Sequence, residues 1–192
     1  MKKILLITLL FIPLFNLAQT TKPIDGFLGI KFGSSKAVVL AAIRAKGGVY
    51  DKSNSNQDML YFENVKLGHR ESIALTVRFV NDKTYEADYV FATDVEAKIP
   101  GYYADLVKDL NDVYGQGKTI RNFTSPYQEG DGNELLGLSA GKIDFHTKWM
   151  DESKNFIEAY INTDMQVQLS YADESLGAIH RTQQKAKEKS DY

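Results

Sequence analysis

The residues best suited to chemistry lie in one glycine-rich stretch, residues 123–141. Its candidate binding residues are Tyr127, Glu129, Asp131, Asn133 and Glu134. Carboxylate and amide oxygens of this kind can bind Ca²⁺, and carboxylates also serve in acid–base catalysis. Asp131 and Asn133 fit two positions of the EF-hand pattern D-x-[DN]-x-[DN]-G and nothing further does, so no metal site is predicted. A loop of this length is usually either functional or a solvated hairpin loop, and both interpretations stay open.

Two short motifs resemble catalytic ones but stand in the wrong structural context. Ser139 lies in a G-x-S-x-G sequence, residues 137–141. A nucleophile elbow needs a strand before the serine and a helix after it, whereas here a loop precedes and a strand follows. The Gly115-Gln116-Gly117-Lys118 run follows a predicted helix, whereas a phosphate-binding loop follows a strand. We therefore predict no nucleophilic serine and no nucleotide site.

The histidine and cysteine content of the sequence indicates no further catalytic or metal-binding site. The three histidines, His69, His146 and His180, lie far apart in sequence, and none has a metal-ligand spacing such as H-E-x-x-H. The chain contains no cysteine, which excludes disulfides, thiol nucleophiles and thiolate metal sites. We predict no catalytic residue and no cofactor. The sequence favours a protein without enzymatic activity over an enzyme.

The composition favours one folded domain. The chain has 192 residues, of which 43% are hydrophobic, and its 23 Lys and Arg against 25 Asp and Glu give a net charge of -2. This length suits a single well-buried domain, and the hydrophobic content argues against global disorder. A nucleic-acid partner would call for a basic face, so no nucleic acid is predicted.

The N-terminus has the three parts of a secretory signal peptide. Lys2 and Lys3 precede an apolar stretch at residues 4–15, and the small residue Ala18 follows. A transmembrane anchor is the alternative, but a spanning helix needs about 20 apolar residues. We predict a signal peptide over residues 1–19, cleaved after Ala18 or Gln19, and a periplasmic or secreted protein. Without a cysteine to carry lipid, no stable membrane anchor is expected.

Alternating apolar residues predict two groups of antiparallel strands. The predicted strands are residues 27–32, 59–67, 73–80 and 85–91 in the first half, and 142–149, 156–161 and 165–171 in the second. The short polar segment 81–83 makes a hairpin of 73–80 and 85–91. Segment 156–161 is apolar on nearly both faces, which is typical of a central strand.

Helical periodicity predicts three helices around these strands. They cover residues 36–46, 101–114 and roughly 173–189, with capping signals at Ser34 or Ser35 and stops at Gly47 and Gly115. The predicted fold is α+β. Two tandem α-β-β-β units, residues 29–92 and 100–172, form an antiparallel sheet with helices on one face. A single domain is expected over residues 20–180, and the polar segment 181–192 is expected to be a tail.

The segment Phe27-Leu28-Gly29-Ile30-Lys31-Phe32-Gly33-Ser34-Ser35, followed by a short helix, resembles two groups of small exported bacterial proteins. These are the β-lactamase-inhibitor-protein-like domains and the small-protein-A-type outer-membrane assembly lipoproteins. In both groups a G-I-x-x-G-x-S turn precedes a helix and a meander of strands. The resemblance implies a binding or inhibitory module. The chain lacks the lipid-attachment cysteine of the assembly lipoproteins, and none of the families' functional residues is matched in it.

The sequence is compatible with two functions of different class. The first is an exported, non-catalytic binding or inhibitor module of the bacterial cell envelope. Its partner would be a protein or an envelope component, held on the exposed sheet face or by residues 123–141. The second is a small hydrolase of unfamiliar type that uses Glu129, Asp131 or Glu134. Catalysis needs positioned groups with perturbed pKa values, and the sequence indicates none, so the binding module is preferred.

Overall fold

Eight strands form one antiparallel sheet in this computed structural model, which describes residues 22–190. The first half contains β1 Gly26–Phe27, β2 Ile30–Lys31, α1 Lys36–Ala45, β3 Val49–Asn56, β4 Met59–Glu63, β5 Val65–Leu67, β6 Arg70–Ser72, β7 Ala74–Val80 and β8 Lys83–Phe91. The second half contains α2 Ile99–Tyr114, β9 Lys118–Phe123, α3 Glu134–Ser139, β10 Ile143–Met150, β11 Phe156–Ile161, β12 Val167–Ala172 and α4 Glu174–Ser190. The signal peptide predicted at residues 1–19 lies outside the described residues.

The strand order of the sheet is β3-β4-β7-β8-β12-β11-β10-β9. Each half of the chain therefore supplies four neighbouring strands, and the last strand of each half, β8 and β12, pair at the centre. The α+β class with an antiparallel sheet is confirmed. Each half of the sheet has one strand more than the three of its predicted α-β-β-β unit, because the polar edge strands β3 and β9 show no apolar alternation.

One face of the sheet holds the hydrophobic core. Alternate side chains of the strands are buried there, among them Leu75, Val77, Tyr89, Leu169 and Ile157. Val39 and Ile43 of α1 and Tyr103, Leu106 and Leu110 of α2 pack into the same cluster. Burying each such side chain contributes about 1.5–3 kcal/mol, so this face carries most of the stability.

The helix boundaries predicted from the sequence agree closely with those in the structure, because local capping and stop signals set them. The Ser35 hydroxyl caps α1, and Gly47 follows its end with a φ of 88°. Pro100 lies in the first turn of α2, and Gly115 ends that helix with a φ of 80°. A positive φ is easily adopted only by glycine, which explains both stops.

Three predicted segments differ from the structure. The strand expected at 59–67 ends at Glu63, because Asn64 has a φ of 56° and the chain turns into the separate β5–β6 ribbon. The edge strand expected at 27–32 is instead the two-residue hairpin β1–β2, turned at Leu28 and Gly29. The loop expected at 123–141 includes α3, whose Leu138 is buried.

The C-terminal helix α4 packs against the β7–β8 hairpin. The ring of His180 stacks on Tyr85 with 5.0 Å between centroids, and Gln183 Nε2 donates to Asn81 Oδ1 at 3.2 Å. Residues 181–190, predicted as a tail, continue this helix. Within residues 22–190, no helix has the length and apolar character needed to span a bilayer.

Candidate binding face of the sheet

The sheet face opposite the core carries polar and aromatic side chains that are only partly buried. We call this surface the open face. Its central residues are Tyr61, Thr76, Arg78, Glu86, Asp88, His146, Lys148, Glu158, Tyr160, Gln168 and Ser170. Pairing across the strands aligns Tyr61, Thr76, Asp88, Ser170, Glu158, Lys148 and Lys118 in one row. The sheet thus presents side chains from both halves of the chain on one continuous surface.

Arg78 forms ion pairs with two carboxylates at the centre of the open face. Its Nη1 lies 3.1 Å from Glu86 Oε2 and donates to Asp88 Oδ2. The hydroxyl of Ser170 donates to the other Asp88 oxygen, Oδ1, at 2.6 Å. Two carboxylates therefore share one guanidinium, which leaves an excess of negative charge at the centre.

Burial shifts the pKa values of these groups. Burial raises the pKa of Glu86, and the neighbouring Asp88 charge adds to the rise. Burial also opposes the charge on Arg78, but Asp88 and Glu86 outweigh it and hold the pKa of Arg78 above its usual value. The centre of the open face is therefore partly dehydrated even without a partner.

The second half of the open face carries two further polar pairs. Tyr160 Oη donates to Gln168 Oε1, and His146 Nε2 lies 3.1 Å from Glu158 Oε1. Burial raises the pKa of Tyr160, with the Asp88 and Glu158 charges adding to the rise, so the phenol keeps its proton at neutral pH. The tyrosine rings combine apolar area with a fixed polar group, a combination common at binding surfaces.

Helix α4 borders the open face at the β7–β8 end. Burial, and next the Glu86 charge, raise the pKa of Tyr85 to about 12, so this ring stays neutral under His180. Arg181 of the same helix lowers the pKa of Glu86, although its own ion pair is with Glu174. The helix therefore contributes positive charge to one edge of the open face.

The structure separates the five site residues predicted in residues 123–141. Asp131 accepts backbone N–H bonds from Gln128 at 2.9 Å and Asn133 at 2.8 Å, so it closes a turn. These bonds lower the pKa of Asp131. Asn133 precedes α3, and Tyr127 is half-buried beside the core. Asp131 and Asn133 meet within this turn, whereas Glu129 and Glu134 are brought together by Arg121, which both contact.

Arg121 was not identified as a site residue from the sequence. Its guanidinium lies 2.9 Å from Glu129 Oε1 and 3.7 Å from Glu134 Oε1, and 4.3 Å from the Phe145 ring centroid. One positive charge held between two carboxylates offsets part of their negative charge, which suits docking of the loop better than proton transfer. Assigning residues 118–123 to a strand beside β10 would have placed Arg121 next to Phe145.

A cleft of about 290 Å³ lies beside Arg121, between α2, β9 and β10. Its wall includes Pro100, Ala104, Val107 and Phe145. In its floor, Tyr103 Oη lies 2.6 Å from Thr147 Oγ1, which lies 2.9 Å from Thr119 Oγ1. These hydroxyls satisfy one another, so the cleft has a polar floor without an activated nucleophile.

The remaining candidate groups do not converge on a catalytic centre within the described part of the chain. Ser139 ends α3 and donates to the Leu136 carbonyl at 3.1 Å, so it does not precede a helix as a nucleophile elbow would. Among residues 22–190, no three His, Asp or Glu side chains are grouped as metal ligands.

Comparison with known proteins finds no relative of this chain. The chain matches no protein-family model, no curated protein and no solved structure at a significant level.

Proposed function

We propose that the chain is an exported, non-catalytic binding or inhibitor module of the bacterial cell envelope that holds a protein partner on the open face. The observation that carries the proposal is the row of partly exposed side chains that crosses the sheet from Tyr61 to Lys148. Charged groups fixed in position and tyrosine rings give a protein partner both register and contact area.

Export is supported by the sequence alone. Lys2, Lys3 and the apolar residues 4–15 are typical of a cleaved signal. N-terminal sequencing of the protein recovered from the periplasm or the medium tests this part. A first residue at Gln19 or Thr20 supports export, whereas an intact chain confined to the cytoplasm overturns it. The resemblance of residues 27–35 to small exported inhibitor-like proteins points in the same direction.

The alternative, a carboxylate-dependent hydrolase, has weaker support. Glu129 and Glu134 are ion-paired to Arg121. The pKa of Asp131 is lowered by backbone N–H groups, whereas a general acid at neutral pH needs a raised pKa. A screen of ester, glycoside and peptide substrates separates the two proposals, because activity abolished by Asp131→Ala would favour the hydrolase.

Site-specific photo-crosslinking in cells that produce the protein tests the binding proposal. A benzophenone amino acid replaces Tyr61 or Tyr160, one on each half of the open face, or the exposed Asp105 of α2 as the control. We expect one and the same protein to be crosslinked from both open-face positions and not from Asp105. Equal crosslinking from Asp105, or none from either tyrosine position, would overturn the proposed surface.

A further inference from the structure

Two lysines face each other directly across the end of the open face. Lys118 of the edge strand β9 pairs with Lys148 of β10. Side chains in such positions have Cβ atoms about 5 Å apart, and like charges placed there destabilise a sheet. Within residues 22–190, neither ammonium group forms an ion pair with a carboxylate. Lys148 therefore lies between Lys118 on one side and Glu158 on the other, without a salt bridge to either neighbour.

A third lysine lines the same cavity. Lys22, Lys118 and Lys148 border a space of about 300 Å³, together with Gln116, Trp149 and Asp151. Lys22 Nζ lies 5.7 Å from the Tyr114 ring centroid, and Lys148 Nζ lies 4.0 Å from that of Phe156. Cation–π contacts of this kind hold an ammonium group without cancelling its charge.

One carboxylate, that of Asp151, lines the cavity, and its negative charge does not balance the positive charges of the three lysines. Asp151 Oδ1 accepts the backbone N–H of Asn155 at 3.0 Å, which closes the turn between β10 and β11. The lining therefore keeps an excess of positive charge. Lysine on an edge strand protects the edge from pairing with other chains, which accounts for Lys118. Lys148 lies one strand further in, where the Glu158 side chain faces it on one side and Lys118 on the other.

We propose that this cavity binds a small multivalent oxyanion, of the phosphoryl or polycarboxylate class. An anion between the lysines would turn their mutual repulsion into attraction, and the amide of Gln116 offers a donor at the same cavity. The site shares Lys118 and Lys148 with the end of the open face, but the crosslinking positions Tyr61 and Tyr160 do not line the cavity, so either proposal can fail without the other.

Trp149 is the one tryptophan of the chain, and it lines this cavity, so its spectroscopic signal can detect a bound ligand. Trp149 Nε1 donates to Asn111 Oδ1 and to the Gly115 carbonyl, each at 3.0 Å, and the residue lines the lysine cavity. Its indole N–H gives a single resolved signal in a proton–nitrogen NMR spectrum. Pyrophosphate and citrate are titrated separately at constant ionic strength set with sodium chloride.

We expect saturable movement of the indole signal with at least one of the two anions. Lys118→Gln and Lys148→Gln should each weaken the fitted affinity about tenfold, whereas Lys142→Gln, an exposed lysine outside the cavity lining, should not change it. Pyrophosphate binding alone assigns a phosphoryl ligand, and citrate binding alone assigns a polycarboxylate. Linear movement that sodium chloride reproduces, or unchanged affinity in the Lys118→Gln/Lys148→Gln double variant, would overturn the proposal.

Thermal unfolding provides a second readout that needs no NMR assignment. Removing one of two opposed like charges should leave Lys148→Gln at least as stable as the wild type without anion. Saturating anion should raise the Tm of the wild type more than that of the variant, which binds the anion more weakly. An equal rise in both proteins would contradict the site.

Discussion

The Ser170 hydroxyl donates to Asp88 Oδ1 at 2.6 Å across the seam between β8 and β12. This seam joins the two four-stranded halves of the sheet, which are otherwise separate in sequence. Asp88 also receives Arg78, so one carboxylate links both halves to the charged centre of the open face. The open face therefore exists only when the two halves of the chain are folded together.

The charge on Asp88 should control the ionisation of Glu86. Asp88 raises the pKa of Glu86, second only to burial, so Asp88→Asn should lower that pKa. The measurement is an NMR titration of the Glu86 carboxyl carbon in both proteins. Asp144→Asn, a charge removal at an exposed position of β10, is the matched control. An unchanged pKa in Asp88→Asn would show that the two carboxylates are not coupled.

Ionised Glu86 should reduce the stability of the fold. Because its pKa is higher in the folded protein than in the unfolded chain, stability rises as the pH falls through the folded value. Glu86→Gln should therefore be more stable than the wild type at pH 7. The difference should vanish below about pH 4.3, where the unfolded chain is also protonated. Urea unfolding across this range tests it, and a variant less stable than the wild type at every pH contradicts it.

The ion pair between Arg70 and Asp109 should have the opposite pH dependence. Arg70 is 8% exposed and its hydrogen bond lowers the pKa of Asp109, which is 45% exposed. This contribution is present above the usual Asp value of about 3.9 and is lost as the pH falls through the lower folded value. Asp109→Asn should cost about 1 kcal/mol at pH 7, since the Asp109 carboxylate is 45% exposed and solvent screens the pair.

Unfolding measurements at low pH test whether the cost of Asp109→Asn depends on the charge of Asp109. The cost of Asp109→Asn should shrink toward zero once Asp109 is protonated in the wild type. A cost that is constant from pH 7 to pH 2 would mean that packing, not charge, links the β5–β6 ribbon to α2.

Gly117 should tolerate no larger side chain. A Cβ at this position would lie 2.6 Å from the Trp149 ring and 2.8 Å from Thr147 Cγ2. Gly117→Ala should therefore lower the free energy of unfolding by about 1–3 kcal/mol. Gly101→Ala is the matched control, because a Cβ there meets no atom within 4 Å and lies inside α2. The control should be neutral or stabilising by up to about 1 kcal/mol. Equal loss in both variants would contradict the close packing.

The parts of the fold that the sequence predicts are those with strong local patterns. The β7–β8 hairpin is one example, because both strands alternate and the turn residues Asn81 and Asp82 adopt positive φ values of 51° and 59°. Strand β3 is missed because it is an edge strand with polar residues on both faces, and nothing local distinguishes it from a loop. Helix α3 has six residues, too few for a readable helical period.

The candidate surface is less predictable than the fold because it depends on register. Arg78 would oppose Tyr85 in a regular hairpin, but a bulge shifts the pairing so that it opposes Glu86. Arg121 reaches Glu129 and Glu134 only because residues 124–133 fold back over β9. Neither contact follows from the spacing of residues along the chain.

The most direct test of the central claim is calorimetric titration of the protein against the partner identified by crosslinking. The open-face variant Tyr61→Ala/Tyr160→Ala should bind at least about tenfold more weakly than the wild type, because tyrosines commonly carry interface energy. The control Asp105→Ala/Lys108→Ala, on the exposed side of α2, should bind as the wild type does. Equal affinity of the wild type and the open-face variant would contradict the claim that the open face is the binding surface.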